Sequence, residues 1–205
     1  MLSTYHSKYS ERTRDEIKRR SAVKEEELKR IFNEINFATT SDPVRVAVLG
    51  CADTRFVPKH KEIFEKIFNR SVELTTFDIS QEHLKDQPGF IQHDCTLPLP
   101  NQPYDITFGH VLLKFIETEK QWDIIKNSYD GLISPGLAIH IFDEEDVTTK
   151  ETKQKDGYWS LPLERWAEEL KKKNMKYKIL NWSISLEGVP IPIRGLKGGA
   201  LVLIK

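Results

Sequence analysis

Cysteine is scarce in this chain: Cys51 and Cys95 are the only two in 205 residues. Two thiols make no disulfide framework, and their scarcity fits a reducing compartment. A long hydrophobic run is missing too. No apolar stretch approaches the roughly 20 residues that span a bilayer. The opening residues, MLSTYHSKYSER, hold no apolar core of the kind a secretory leader carries. A cytoplasmic protein away from membranes is therefore expected. Net charge is absent as well, since Lys plus Arg is 31 and Asp plus Glu is 31. That balance advertises neither nucleic acid nor an acidic lipid surface as a partner. Internal repeats and low-complexity linkers are also lacking.

What is present is an alternation of strands and helices. The length suits one domain with a sizeable core. Residues 13–36 read as a helix, with Ile17, Leu28, Ile31, Phe32 and Ile35 as its apolar stripe. Dense charge of both signs over residues 11–34, and again at Lys171–Lys173, reads as solvated helix face. Phe37–Pro43 is a turn-rich joint. Strands are expected at 44–49, 72–77, 89–93, 104–109, 137–142, 177–186 and 200–205. Helices at 58–68, 81–85, 120–133 and 163–173 fall between them. Leu97–Pro103 holds three prolines and cannot be regular. Ser134-Pro135-Gly136 reads as a turn, Asp143–Gly157 as a polar loop and Glu187–Gly199 as a Pro/Gly-rich connection. Alternation up to the fifth strand argues an α/β fold, a parallel sheet with helices on both faces. The last two strands follow without a helix between them and most simply pair antiparallel at one edge.

The densest signal is VRVAVLGCADTRF, Val44–Phe56. A buried strand ends at Gly50, a tight turn follows, and a helix begins near Pro58. In open α/β sheets such a junction binds nucleotide-like ligands. The loop backbone can approach the ligand closely, and the helix start offers free N–H groups.

With those elements in order, the chain from Val44 to Lys205 resembles the class I S-adenosylmethionine (SAM)-dependent methyltransferases. LGCADTRF (49–56) resembles the family's glycine-rich first loop. Asp78 closes the second strand and His93-Asp94-Cys95 the third. Residues 97–117 resemble the lead into and out of the fourth strand, and SPGLAIHIF (134–142) the turn into the fifth. The resemblance implies a three-layer Rossmann-like sandwich. Its seven-stranded sheet is mostly parallel, with the last strand antiparallel, and an N-terminal helix is added. Residues 44–205 would be the methyltransferase-like domain. Residues 1–43 would be a helical segment packed on it, with a lid as one role. SAM is the implied cofactor, and a small molecule or protein, rather than nucleic acid, the methyl acceptor. Gly50, Cys51, Ala52, Asp53 and Arg55 would cradle its amino-acid and sulfonium portion. Asp78, with Ile79 beside it, would hold the ribose, because one carboxylate can accept both hydroxyls of a diol. His93, Asp94 and Cys95 would face the adenine, and His110 and Val111 the floor. His110 is the candidate general base, with plain packing as the alternative. Tyr5, Tyr9, Tyr158 and Trp159 are candidates for the acceptor pocket.

The chain also departs from the family. Where relatives carry an acid and then Gly-x-Gly-x-Gly, it has Val48, Gly50, Ala52 and Thr54. A β-branched Thr54 resists positive φ. Arg55 could meet the SAM carboxylate; equally, the Asp53 and Arg55 side chains could pair with each other or face solvent, and these readings stay open. A degenerate module that serves as a scaffold is thus an alternative. The fourth strand lacks an Asn-Pro-Pro-Tyr motif, which argues against the branches that methylate amino groups of nucleic acid or glutamine. Cys51-Ala-Asp53-Thr-Arg55 also matches the Cys-x-Asp-x-Arg of β-class carbonic anhydrases. That family then needs His-x-x-Cys, and His93-Asp94-Cys95 is one residue short, so no metal is expected.

Overall fold

A computed structural model describes residues 12–51, 53–81, 84, 86–149, 157–183 and 197–205. The strands are β1 (Val44–Leu49), β2 (Val72–Asp78), β3 (Phe90–Gln92), β4 (Tyr104–His110), β5 (Leu132–Asp143), β6 (Lys176–Ser183) and β7 (Lys197–Ile204). The helices are α1 (Arg14–Ile35), α2 (Phe56–Phe68), α3 (Thr118–Asp130) and α4 (Leu163–Lys172). One-turn 3₁₀ helices follow β4 at Leu113–Phe115 and β5 at Glu144–Asp146.

The strands form one sheet in the order β3-β2-β1-β4-β5-β7-β6. The pairs from β3 to β5 are parallel, and β7 runs antiparallel to both of its neighbours. Strand pleating sends alternate side chains to opposite faces. Val46 and Val48 thus face a core shared with Leu28 and Ile31 of α1 and Phe64 of α2. Ala47 and Leu49 face a second core, with Ile124 and Ile125 of α3 and Trp166 and Leu170 of α4. Burial on both faces explains why β1 reads as a nearly continuous apolar run, broken by the half-buried Arg45. The three-layer sandwich with its antiparallel last strand is the architecture present.

α1 begins at a capping box. The Thr13 hydroxyl accepts from Glu16 N at 3.2 Å, and the Glu16 carboxylate accepts from Thr13 N at 2.8 Å. It ends on Asn36, which takes the left-handed conformation. The joint to β1 is tied to the start of β4. Asp105 accepts from the hydroxyls of Thr39 (2.7 Å) and Ser41 (2.5 Å) and from Arg45 N (2.9 Å).

Some expectations shift. α2 starts at Phe56, two residues before Pro58, because the Asp53 carbonyl and carboxylate take the first free N–H groups, those of Phe56 and Arg55. α3 stops at Asp130 and does not reach Ile133, since Gly131 caps it. Ser134-Pro135-Gly136 is not a turn between elements. It lies inside a long β5 as an irregularity, with Gly136 and Lys205 exchanging backbone hydrogen bonds. The expected helix at 81–85 lies partly outside the described residues, which show one turn closed by Leu84 N on Gln81 O. Tyr5, Tyr9, Ala52 and the end of the sixth expected strand also lie outside them. Among the described residues no helix is long and apolar enough to cross a membrane.

Candidate functional site

The ends of β1, β2, β3 and β4 bring most of the candidates together. Gly50 follows β1 with φ +72°, a backbone state that favours glycine. A Cβ there would lie 2.7 Å from Leu112 Cδ1, so the side chain after Val111 leans on the loop. Asp78 closes β2 and is buried. One of its oxygens accepts from Cys51 N at 2.8 Å, the other from Ser80 N at 3.0 Å. The carboxylate therefore pins the first loop to the second strand. Each oxygen keeps about one further lone pair for a ligand donor.

Asp53 and Arg55 pair with each other. Arg55 Nε donates to Asp53 Oδ1 at 2.9 Å and Nη2 to Oδ2 at 2.8 Å, while Nη1 donates to Arg12 O at 2.6 Å. Asp53 is buried, and this fork holds the start of α2. Thr54 keeps a negative φ, so its β-branch is not strained. The Cys51 thiol is buried and pushed up to about 12 by that burial, which leaves it protonated and unreactive.

Beyond Asp78 the tips of β2 and β3 are apolar and open. Ile79 is 67% exposed and Leu97 56% exposed. Asp94 accepts from Thr96 N and Oγ1 with one oxygen, and its other oxygen has no protein partner among the described residues. His93 N donates to Asp78 O, and the His93 ring lies edge-on to Phe77. Cys95 is buried, its thiol also pushed up to about 12 by desolvation. Cys51 follows β1, whereas His93 and Cys95 follow β3, with β2 between them. Two strand spacings are about 10 Å, too far for shared zinc bonds of ~2.3 Å. Among the described residues no group of three or more His, Cys, Asp or Glu could hold a metal.

Sequence reasoning missed a buried charged cluster beside β4. The α1 charges were expected in solvent, yet Lys24 and Glu27 are buried. Glu27 Oε2 lies 3.0 Å from His110 Nε2, and Lys24 Nζ lies 3.3 Å from His60 Nε2. The signal was in the spacing. Lys24 falls seven residues after Ile17 and four before Leu28, and Glu27 four before Ile31, so both sit on the apolar stripe. Burial pushes Glu27 up to about 8, against the pull of Lys24. Burial lowers Lys24 to about 8. Burial first, and then the Lys24 charge, hold His60 and His110 well below the ordinary imidazole range.

A second buried cluster lies across the ends of β4 and β5. Lys114 Nζ meets Asp143 at 2.7 Å and Asp146 at 2.9 Å. The Tyr158 ring covers that ammonium at 5.2 Å, and Trp159 N donates to Lys114 O at 2.6 Å. Tyr158 and Trp159 are thus anchored where β4 and β5 end. Val111, directly after His110, has φ +56°. A β-branched residue in that state is an outlier, and such strain collects at functional turns.

This strand order, the antiparallel β7 and a loop pinned by the acid that closes β2 decide the architecture. It is the class I methyltransferase fold. No family model matches the chain, and no curated protein matches it. Solved structures with this fold do. A SAM-dependent methyltransferase from Clostridium acetobutylicum is 12% identical, with TM-score 0.61, over 90% of this chain and 92% of that one. The plantazolicin methyltransferase BpumL, solved with S-adenosylhomocysteine (SAH), is 14% identical, with TM-score 0.60, over 90% and 83%. The magnesium protoporphyrin IX methyltransferase of Synechocystis PCC 6803, solved with SAM, is 11% identical, with TM-score 0.59, over 100% and 86%.

Proposed function

We propose that the chain binds SAM across the tips of β1 to β4 and transfers its methyl group to a small-molecule or protein acceptor. The observation that carries this reading is Asp78. It is buried at the end of β2, pins the loop after Gly50, and stands beside the exposed Ile79. An acceptor pair next to an open apolar surface suits a ribose diol joined to a flat purine. Asp94, with one oxygen unengaged, would take the adenine amino group. Bound SAM supplies a methyl group already activated by its sulfonium. The chain has then mainly to orient the attacking atom and exclude water. The turn at His110 and Val111 would form the floor, with Tyr158 and Trp159 toward the acceptor. The α1 segment would cover the same side.

A non-enzymatic module is the second reading. Two observations favour it: Leu112 leans over Gly50, and Asp53 engages Arg55, which a SAM carboxylate would otherwise attract. Calorimetric titration with SAM and SAH separates the two. Binding of both ligands is expected. Asp78→Asn keeps the size of the side chain and removes its charge. It should weaken binding about tenfold or more, the ~1.5–3 kcal/mol of hydrogen bonds to a charged group. No heat at millimolar ligand with the folded wild type would leave only the scaffold reading.

A further inference from the structure

We propose that the cleft between α1 and α2 docks an acidic, amphipathic peptide segment of a partner protein. The cleft stands apart from the proposed cofactor site, and its occupant does not depend on SAM.

The two helices run side by side in the same direction. Arg55, just before α2, donates from Nη1 to Arg12 O at 2.6 Å, just before α1. About three turns further on, Lys66 of α2 meets Glu25 of α1. Between these two ties lies an open cleft of about 600 Å³. Ile17 of α1 and Ile63 of α2 line its apolar floor. Ser21 and Ala22 are the small side chains that leave it open. The Ser21 hydroxyl is turned back onto its own helix, donating to Ile17 O at 2.8 Å.

The rim carries the charge. Arg14, Lys18, Arg55, Lys59 and Lys66 face only Glu25 and Glu62 there, in a chain whose charges balance at 31 and 31. Glu62 holds Lys59 at 2.6 Å, Asp53 holds Arg55 at 2.8 Å, and Glu25 is shared between Lys66 and Lys29. Arg14 and Lys18 are exposed and have no acid partner among the described residues. They are the charges that an incoming carboxylate meets first. The exposed Lys59–Glu62 pair is weakly held and exchanges readily for a partner's acid. An apolar floor under a cationic rim matches a segment with apolar side chains on one face and acids beside them. A phosphate backbone fits worse, because Glu25 and Glu62 repel it and the floor offers it no contact. Residues 1–11 of this chain bring one acid, Glu11, against Lys8, so they lack the complementary charge.

The test pans a displayed library of peptides about 12 residues long, roughly three helical turns, against the folded full chain. Enrichment of sequences that combine several acids with apolar residues is expected. An enriched peptide is then synthesised with a fluorophore and titrated by anisotropy. Arg14→Glu with Lys18→Glu should weaken its binding at least about tenfold. Lys171→Glu with Lys176→Glu changes the net charge equally but lies elsewhere, and should stay within about twofold of wild type. Ala22→Cys coupled to a bulky maleimide fills the cleft without altering charge, and should abolish binding. The native Cys51 and Cys95 are buried, which directs the label to position 22. The proposal is overturned if no acidic sequences are enriched, if both double variants weaken binding alike, or if binding survives the label. A single-stranded oligonucleotide that binds more tightly than the peptide, and loses that binding in the Arg14 and Lys18 variant, would assign the cleft to nucleic acid instead. Self-association of wild type that the label abolishes would assign it to a second copy of this chain.

Discussion

At the scale of single residues, Val111 is the most informative. A β-branched side chain at φ +56° costs on the order of 1–3 kcal/mol. Glycine removes that strain and adds back about 0.5–1 kcal/mol of chain entropy. Val111→Gly should therefore raise the unfolding free energy in urea by about 1 kcal/mol. Sequence patterns could not reveal this strain, because Val111 simply extends an apolar strand pattern. Asp78 was legible, since an acid closing a buried strand is a local feature. Asp53 and Arg55 were legible only as alternatives, and their two-bond fork settled which one holds in the free protein. Lys24 and Glu27 were misread. Their charge pointed to solvent, while their helical spacing placed them on the buried side.

At the scale of elements, the joints matter more than the strands. The apolar runs of β1, β2 and β4 are local and fall almost where their patterns place them. Asp105 was not foreseen, because its three donors come from residues 39, 41 and 45, far away in sequence. Its carboxylate fastens the α1–β1 joint to β4. Asp105→Ala removes three bonds to a buried acceptor and strands their donors. The expected loss is about 2–4 kcal/mol of stability in urea unfolding. Hydrogen exchange should quicken at Ser41 and Arg45 ahead of the sheet centre. The boundary shifts share one cause. Asp53 reaches back to start α2 early, and Gly131 stops α3, so capping decided what periodicity could only approximate.

At the scale of the whole molecule, buried histidines set the response to acid. Burial alone lowers His140 to about 4, and His60 and His110 are also held below 6.5. Below pH 6.5 the unfolded chain binds protons that the native state refuses. Stability therefore falls as the pH drops from 6.5 toward about 4. Glu27 works the other way: raised from 4.5 to about 8, it favours the native state most at low pH and loses that contribution as the pH rises through 8. His140→Gln, which keeps a partner for Ser128, isolates one histidine. Urea midpoints measured from pH 7 to 4 should show a slope smaller by up to about one proton than in wild type.

Composition and periodicity alone determined the order of strands and helices and the two-sided burial of the sheet. They also placed an acid at the tip of the second strand. Each of these is written within a few consecutive residues, where pleat and helix turn have fixed periods. Only the tertiary structure decided which charges leave water and what they meet there. Glu27 and His110 are 83 residues apart in the chain and 3.0 Å apart in space. The burial that shifts both groups exists only once α1 has docked on the sheet.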